Sequence, residues 1–569
     1  MAPGVCRRLL AVLLLSLLPT LAAAQAIPSG ALPGTERRQV APPQPGPLAR
    51  PGGPSISLPS TVAPPGAESI MLTVSRIVIT GATVYGEQDF VPLYADLVGH
   101  EVPLAAVYEL ARRITAKYGA AGYILSRAVV PPQNFGRHGA VIHIQVVEGY
   151  IDNVIWPMEK LARYRNFFDD YTARIIADRP ANIRTLERYL LLANDLPGLK
   201  FATTLKPSPT HPNASTLIVE VTEKRIDAIA RIDNRGTEQR GPWQYLGSAT
   251  VNNIIGAHEA FTVTYAGTFQ LEELQYVAAN YKQVLNSEGL TGFINGSYGF
   301  GKPGSDVLNA LDYKTRSTIV EAGLTYPVLR SRETNLYLTA LGYLTNDESF
   351  QLGAPFTLDR IRGIRLKGDA DWADRFLGIN QVNVTFSQGL QILGATPNAD
   401  PSVLLPPLPT ASTNAGHTDF NKIEGTYART QPLFAGFSAF VAAYGQYAFT
   451  PLLVSEQCSY GGRFFGRAYD PSQFLGDSCW MALGEGRYDI PNTIKQLTKA
   501  QIYAYADHGE TFNIDPGLGT PKRQAGSSVG VGARAEWEGA YSVDLSIARA
   551  LEGPHSDELR AFVILGAKY

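Results

Sequence analysis

The chain has 569 residues, too many for one ordinary domain, and only 18% of them are charged. That fraction is low for a soluble protein, whereas 54 glycines and 10% aromatic residues suit many strands joined by tight turns. The formal net charge is -2, so no global basic field favours a nucleic-acid partner.

Residues 1–24 predict an export signal. Arg7 and Arg8 form a positive start, residues 9–18 are apolar, and residues 22–24 are three alanines suited to cleavage. The remaining chain has no run of about 18 apolar residues, so no membrane-spanning helix is expected. An integral membrane protein with this sequence would therefore have to be a closed β-barrel.

Removal of the signal also removes Cys6 and leaves two cysteines, Cys458 and Cys479. Two cysteines about 20 residues apart in an exported chain indicate a disulfide. The alternative is a pair of unbonded thiols in a surface loop.

Residues 25–73 predict a linker or mobile arm. Their proline- and glycine-rich runs, such as PPQPGP and ARPGGP, can neither continue a helix nor build an apolar core.

Residues 74–149 predict a small α+β unit with the order β-α-α-β-β. Its expected elements are a strand at 74–79, helices at 87–98 and 104–118, and strands at 124–130 and 140–147. Residues 150–225 repeat this pattern, which favours two tandem copies of one supersecondary unit. The second copy has a strand at 150–156, helices at 173–176 and 183–194, and strands at 201–206 and 216–222.

Residues 226–569 predict a membrane barrel. Helical periodicity disappears, and short segments such as 261–265 and 336–339 alternate apolar residues with polar or small ones. The region accommodates about 16 strands of roughly 22 residues each, turns included. A soluble sandwich would need a more consistently charged outer face, whereas many intermediate positions here are Gly, Ala, Ser, Thr or Asn.

A long loop is predicted between two barrel strands at residues 461–489. It is rich in glycine, contains the tetrad Gly466-Arg467-Ala468-Tyr469, follows Cys458 and includes Cys479. A loop of this length and composition is expected to have a function, and we interpret it as folded back into the barrel.

Three runs give the chain a resemblance to a known family. They are ERYLLLANDLPGLKFATTLKPS, TLIVEVTEK and RIDNRGTEQRGPWQYLGSATVNNIIGAHE, preceded by a Val-Glu-Gly joint at 147–149. They resemble the second POTRA domain and first barrel strands of two-partner secretion B components, the exporters of haemolysins and filamentous haemagglutinin. The resemblance covers residues 74–569. It implies two periplasmic POTRA domains (74–149 and 150–225) and a 16-stranded antiparallel barrel (226–569).

The resemblance also implies the functional loop. In the family, the loop after the eleventh barrel strand carries a tetrad like Gly466-Arg467-Ala468-Tyr469 at its inward tip. Ala468 stands where the family often has glycine, which reduces backbone freedom there. Arg467 inside a barrel would need an anionic partner.

The motif Tyr505-Ala506-Asp507-His508-Gly509 resembles the family's aromatic-x-Asp-x-Gly motif on the thirteenth strand, which assigns Asp507 as the partner of Arg467. The alternative is that these two charges are unrelated. Glu485 resembles an inward acidic residue on the strand that leaves the loop, and an ordinary pore-lining glutamate is the other interpretation.

The POTRA units are expected to receive cargo at an open strand edge. Tyr189, Leu190 and Leu191 are candidate cargo-binding residues, and a role in the core is the alternative. The proline-rich residues 25–70 leave room for only a turn or two of helix near 31–38. A long plug helix is therefore not expected, and closure of the barrel would depend on the loop.

The function implied is translocation of a large secreted partner, an A-type adhesin or haemolysin, across a Gram-negative outer membrane. The barrel is expected to be monomeric and to contact outer-membrane lipid. The motifs of hydrolases, metalloproteases and nucleotide-binding loops are missing, so we expect neither an enzyme nor a cofactor, metal, nucleotide or nucleic-acid site. The alternatives are a barrel-assembly insertase, a passive diffusion porin and a soluble β-rich adhesin.

Overall fold

The computed structural model describes residues 27–40, 46–51, 62–134, 139–398, 408–517 and 520–569. The predicted signal, residues 1–24, lies outside the described residues. Within the described ranges, no helix is long and apolar enough to cross a membrane.

The first α/β unit is a four-stranded sheet with two helices. Its elements are β1 (Met71–Thr80), α2 (Glu87–Tyr94), β2 (Glu101–Pro103), α3 (Leu104–Ala120), β3 (Arg127–Val129) and β4 (Ala140–Val147). The sheet order is β2-β1-β4-β3, with β1 and β4 parallel. The buried side chains of α3 recur at spacings of three and four residues, as the sequence predicts. Among the described residues before this unit there is one short α-helix, α1 (Glu36–Val40).

The second unit repeats the first with a smaller sheet. Its order is β5-β7-β6, again with its first strand parallel to the central one. An aromatic core fills the unit, with Trp156, Phe168 and Tyr171 in mutual ring contact. The elements are β5 (Tyr150–Ile155), α4 (Met158–Leu161), α5 (Phe168–Ala177), α6 (Ile183–Asn194), β6 (Leu199–Pro207) and β7 (Ala214–Glu223).

The remaining strands form a closed antiparallel barrel of 16 strands, which confirms the predicted fold class. The first eight are β8 (Ile226–Asp233), β9 (Gln244–Asn252), β10 (Glu259–Thr268), β11 (Gln275–Val284), β12 (Thr291–Gly301), β13 (Lys314–Arg330), β14 (Thr334–Gln351) and β15 (Ala354–Ala373). A short helix, α7 (Asp306–Ala310), lies between β12 and β13.

The barrel continues through β16 (Ile379–Gly389), β17 (Asn421–Pro432) and β18 (Phe437–Ala448). The long loop then contains the small hairpin β19 (Cys458–Tyr460) and β20 (Phe474–Gly476). The last wall strands are β21 (Ser478–Asp489), β22 (Leu497–Phe512), β23 (Arg523–Trp537), β24 (Tyr541–Ala550) and β25 (Leu559–Lys568). β25 pairs with β8 and closes the cylinder.

Strand alternation separates the two faces of the wall. On β22 the buried side chains from Gln501 to Thr511 occupy odd positions, and even positions face outwards. Because β8 follows directly from the second α/β unit, that end of the barrel faces the same side as the α/β units. The long loop therefore starts at the opposite end.

Residues 27–40 lie inside the barrel, and the expectation of a mobile arm is wrong for this segment. It has one 3₁₀ turn, Ser29–Ala31, and the five-residue helix α1. Pro33 and Gly34 separate the two, and Gly34 has a φ of +83° that ends any continuous helix. Residues 46–51 then reach the α/β side of the barrel, where the Arg50 amide donates to the Arg332 carbonyl at 2.8 Å.

Candidate functional site: the occupied lumen

The long loop between β18 and β21 turns inwards and returns as the hairpin β19–β20. A disulfide joins Cys458, at the base of the hairpin, to Cys479 on the wall strand β21, with their Cα atoms 6.4 Å apart. The bond fixes one end of the hairpin to the wall.

The predicted tetrad lies at the inner end of this loop. Gly466 has a φ of +68°, a left-handed conformation that favours glycine. Ala468 and Tyr469 are buried. The Tyr469 hydroxyl lies 3.0 Å from the Ser527 carbonyl and 2.6 Å from the Glu552 carbonyl, so the tip is fixed to strands far along the chain.

Glycines in the wall make room for the aromatic rings of the loop. A Cβ atom at Gly509 on β22 would overlap the ring of Tyr460, and one at Gly526 on β23 would lie 2.9 Å from the rings of Tyr460 and Phe474. The close approach of the hairpin to the wall therefore depends on the absence of side chains at these two positions.

Arg467 forms its ion pair with Glu485. Its Nη1 atom lies 2.5 Å from Glu485 Oε2, and the side chains are 8% and 0% exposed. The guanidinium also stacks 4.4 Å from the centre of the Tyr505 ring. A charge-assisted bond between two buried groups is directional and resists competition from water.

Glu485 is shared by three arginines. Arg487 Nε lies 2.7 Å and Arg534 Nη1 lies 2.9 Å from its other carboxylate oxygen. Arg534 is also paired with Asp544 at 2.8 Å. One buried carboxylate thus stabilises the loop arginine and two wall arginines, so its loss would leave like charges together.

Asp507 does not form an ion pair with the Arg467 guanidinium, and this part of the prediction is wrong. Its carboxylate accepts from the Tyr460 hydroxyl at 2.6 Å, the Ser528 hydroxyl at 2.8 Å and the Gly466 amide at 3.0 Å. The Arg467 backbone amide lies 3.4 Å away. Asp507 therefore binds the backbone of the tetrad, while Glu485 binds its side chain.

Two further arginines hold the tip and were missed by the sequence reasoning. Arg235 donates to the Arg467 carbonyl at 2.8 Å, and Arg560 donates to the Ala468 carbonyl at 2.8 Å. Arg560 also pairs with Asp470 at 2.6 Å. For Arg560, an inward position on β25 was the available signal, since a charge there must find a partner in the lumen. Arg235 lies in the turn after β8 and had no such signal.

The segment 27–40, here called the plug, is held by Arg240 in the turn between β8 and β9. Arg240 pairs with Glu36 at 2.8 Å, and both side chains are buried. It also donates to the Gly30 and Ala31 carbonyls at 2.9 and 3.1 Å and to the Thr35 hydroxyl at 3.0 Å. A single residue of this turn thus binds four groups of the plug between Gly30 and Glu36.

The plug also contacts the long loop directly. Arg38 donates to the backbone carbonyls of Val454, Ser455 and Gln457, at 3.3, 3.1 and 2.5 Å. The Ser29 hydroxyl donates to the Gln473 carbonyl at 3.0 Å, so both ends of the loop contact the plug.

Glu456 fixes the base of the loop to the wall. It pairs with Arg365 at 2.7 Å and with Lys422 at 2.9 Å. Arg365 also lies 3.4 Å from Glu321, which contacts Arg37 of the plug at the same distance. Plug, loop and wall therefore belong to one network of charges.

The candidate cargo-binding residues lie on α6. Tyr189 is buried, and its hydroxyl donates to Glu288 in the β11–β12 turn at 2.9 Å. Leu190 is partly buried against the core of the second unit, and Leu191 is half-buried. Tyr189 is thus part of the junction with the barrel, not a free surface. Asp195 after α6 strengthens this junction through two bonds to Arg330, at 2.7 and 2.8 Å.

The plug and the long loop occupy the lumen and are separate from the barrel wall. The plug is held by ion pairs and hydrogen bonds, and the loop is also held by the disulfide and by aromatic packing against the wall. Neither segment is a strand of the barrel. A closed barrel with tandem α/β units at one mouth and a plug and a loop inside is the architecture of an outer-membrane protein transporter.

A family model described as haemolysin secretion/activation protein ShlB/FhaC/HecB matches residues 213–533, and one described as POTRA domain, ShlB-type, matches residues 72–149. The first match covers more than half of the chain, so the chain belongs to the ShlB/FhaC/HecB family. It is a two-partner secretion transporter of the outer membrane, with its POTRA units in the periplasm.

Named relatives agree with this assignment. The outer membrane transporter CdiB of Dickeya dadantii (strain 3937) is 22% identical over 490 residues, which cover 82% of this chain and 81% of that protein. The heme/hemopexin transporter protein HuxB of Haemophilus influenzae (strain 86-028NP) is 22% identical over 240 residues, 41% of each chain. The structure of CdiB from Escherichia coli has a TM-score of 0.69 at 18% identity, over 90% of this chain and 94% of that one.

Proposed function

We propose that this protein exports one large A-type exoprotein, captured by the POTRA units and passed unfolded through the barrel. The observation that carries the proposal is the occupied lumen. Arg467, Glu36 and Arg38 hold the loop and plug by polar contacts that an incoming chain can replace one at a time.

Cargo capture is assigned to the edge strand β6. It pairs with β7 on one side, and among the described residues no strand pairs with its other side. Thr203 and Thr204 are exposed there. An extended polypeptide can add to such an edge through backbone hydrogen bonds, largely independent of sequence. This edge replaces Tyr189 as the proposed contact.

The driving force is assigned to folding of the cargo outside the cell. The sequence contains no nucleotide-binding loop, and an extended chain that folds after exit cannot return through the barrel. The barrel itself then needs only to open and close, and a single chain supplies the complete cylinder.

Deletion of the gene and complementation test the proposal. A co-expressed A-type partner should accumulate in the cell without the transporter and reappear outside with the wild-type chain. The Arg467→Ala variant should insert normally but secrete less partner. Normal partner secretion in the deletion strain would contradict export. A general loss of outer-membrane barrels would instead indicate an insertase.

A further inference from the structure

We propose that the outer rim of β13–β15, at the extracellular end, binds the phosphate groups of the phosphorylated glycolipid in the outer leaflet. This goes beyond the export function, because it concerns the outside of the barrel. The proposed site is formed by the outward-facing Arg316 and Arg360, with Lys314 and Arg362 beside them.

Alternation on the strands places these side chains on the outer face. On β13 the buried residues Thr315, Ser317 and Glu321 are odd-numbered, so Arg316 faces outwards, and it is exposed. On β15, Asp359 and Ile361 are buried inside, so Arg360 faces outwards and is exposed. β14 lies between, which puts the two strands about 10 Å apart.

Strand register places the arginines at the upper edge of the apolar band. Arg316 is opposite Phe300 on β12, and Thr318, the next outward residue, is opposite Tyr298. Aromatic residues mark the interface of membrane barrels. One outward step further down, Val320 is opposite Leu344, and both are exposed to the lipid side. The guanidinium groups therefore lie at headgroup depth.

Two of these charges, Arg316 and Arg360, have no carboxylate partner in the part of the chain that the structure describes, although the Arg316 guanidinium lies 4.9 Å from the centre of the Phe350 ring. Within the described ranges, neither Arg316 nor Arg360 forms an ion pair, and Arg362 donates only to the carbonyls of Thr345, Ile361 and Leu393. Glu348 is the cross-strand neighbour of Arg316 but forms no ion pair with it. Asp312 is occupied by Lys302 and Lys314, at 3.1 and 2.7 Å.

On β15, Arg362 is buried and its guanidinium is held by backbone carbonyls, so it adds positive charge beside the exposed Arg360 without neutralising it. A phosphate monoester fits this site, since guanidinium groups bind phosphate oxygens in pairs. The acyl chains of the same lipid would then cover the exposed Val320 and Leu344 below. The combination of phosphate and acyl chains selects a lipid over a free phosphate ion.

Native mass spectrometry of the full-length protein in phosphatidylcholine nanodiscs tests the site, with bisphosphorylated lipid A as the probe. The Arg316→Gln/Arg360→Gln variant should bind lipid A about 25-fold more weakly, since each arginine near a charged surface contributes about fivefold. The control is Arg523→Gln, an outward rim arginine already paired with Glu510 at 2.6 Å, which should bind as the wild type does.

Heat-modifiable migration on gels shows whether each variant keeps its folded barrel. Dephosphorylated lipid A should bind the wild type as weakly as lipid A binds the double variant. Unchanged lipid A binding by the folded double variant would overturn the proposal, as would equal binding of the dephosphorylated lipid. Complete displacement of lipid A by millimolar inorganic phosphate would also overturn it, because the ligand would then be a free ion.

Discussion

At the scale of single residues, Glu485 is the group on which the closed loop most depends. It is 3% exposed and neutralises Arg467, Arg487 and Arg534 together. Glu485→Gln would leave three arginines around a neutral amide, and breaking a buried pair in this way costs about 3–5 kcal/mol. The fraction of open channels in planar bilayers should therefore rise at least tenfold.

Glu424→Gln is the matched control. Glu424 is also a lumen carboxylate, but it is 27% exposed, and its partner Lys422 keeps Glu456 at 2.9 Å. Its replacement should leave the closed state unchanged. Equal open fractions in the two variants would show that Glu485 has no particular role in closure.

Glu485 and Asp507, the two carboxylates around the tetrad, are expected to be coupled differently to Arg467. Arg467→Gln and Glu485→Gln should be strongly coupled in a double-mutant cycle, by about 0.5–3 kcal/mol, because their side chains touch. Arg467→Gln and Asp507→Asn should be nearly additive, because Asp507 binds the Arg467 backbone. The measurement is the urea concentration at which an added protease cuts the loop. A larger coupling with Asp507 would restore the pairing expected from sequence.

The error in pairing has a physical reason. Sequence motifs located the tetrad, Asp507 and Glu485 correctly on the loop, β22 and β21. The partner of an arginine on a loop depends on how deep that loop enters and on the strand register. Glu485 and Tyr505 are direct cross-strand neighbours, and that fact comes only from the register.

At the scale of elements, the disulfide of the loop is expected to limit its motion. Cys458 and Cys479 close a loop of about 20 residues, and such a link is worth about 3 kcal/mol in the chain-entropy model. Cells with the Cys458→Ser/Cys479→Ser variant should admit vancomycin, which an intact outer membrane excludes. Reductant should sensitise cells with the wild-type chain and have no further effect on the double variant. Equal vancomycin tolerance in all cases would contradict a constraint on the loop.

The joint between the POTRA units carries a pH-dependent contact. Burial disfavours the charged form of Glu148, but hydrogen bonds from Thr83, Val84 and Tyr118 outweigh it and lower its pKa. A lowered folded pKa gives stability above the unfolded value of about 4.3, and this stability is lost as pH falls through the folded value.

Glu148→Gln should therefore lower the unfolding midpoint of a fragment spanning 62–225 by roughly 4–8 °C at pH 7. The difference from wild type should shrink as the pH falls below about 4. Circular dichroism checks both, with the exposed Glu159→Gln as control. A difference that is constant with pH would exclude the carboxylate as the cause.

Helices and strands could be predicted from the sequence where the apolar pattern repeats over many residues. The helix at 104–118 was predicted within two residues of α3, since its apolar side chains repeat over four turns. The short β2 and α4 were missed because three or four residues carry no periodic signal. The short helix α1 likewise carries no periodic signal. Its place in the lumen depends on Arg240, some 200 residues later in the chain.

At the scale of the whole molecule, strand number and class could be predicted, because alternation and length constrain a membrane barrel. The segments that fill the barrel could not be predicted, since a proline-rich composition excludes a long helix without excluding a buried segment. The expectation of a mobile arm is wrong for residues 27–40 for that reason. Closure therefore depends on two segments, and transport should require the movement of both.

A reversible lock on the plug tests that requirement. A Cβ atom at Gly30 would lie 3.7 Å from the Cβ atom of Thr237, within the range for a disulfide. The oxidised Gly30→Cys/Thr237→Cys variant should hold the plug against the β8–β9 turn and block secretion of the partner. Reductant should restore secretion in this variant.

Two controls make the result specific. The single Gly30→Cys variant measures the effect of the added Cβ atom, which would lie 3.1 Å from the Pro471 carbonyl oxygen. The wild-type chain with reductant measures the loss of the Cys458–Cys479 bond alone. If the oxidised double variant secretes at the wild-type rate, the cargo passes without displacing the plug. The route through the lumen would then have to lie between the loop and the wall, with Arg467 and Glu485 as its gate.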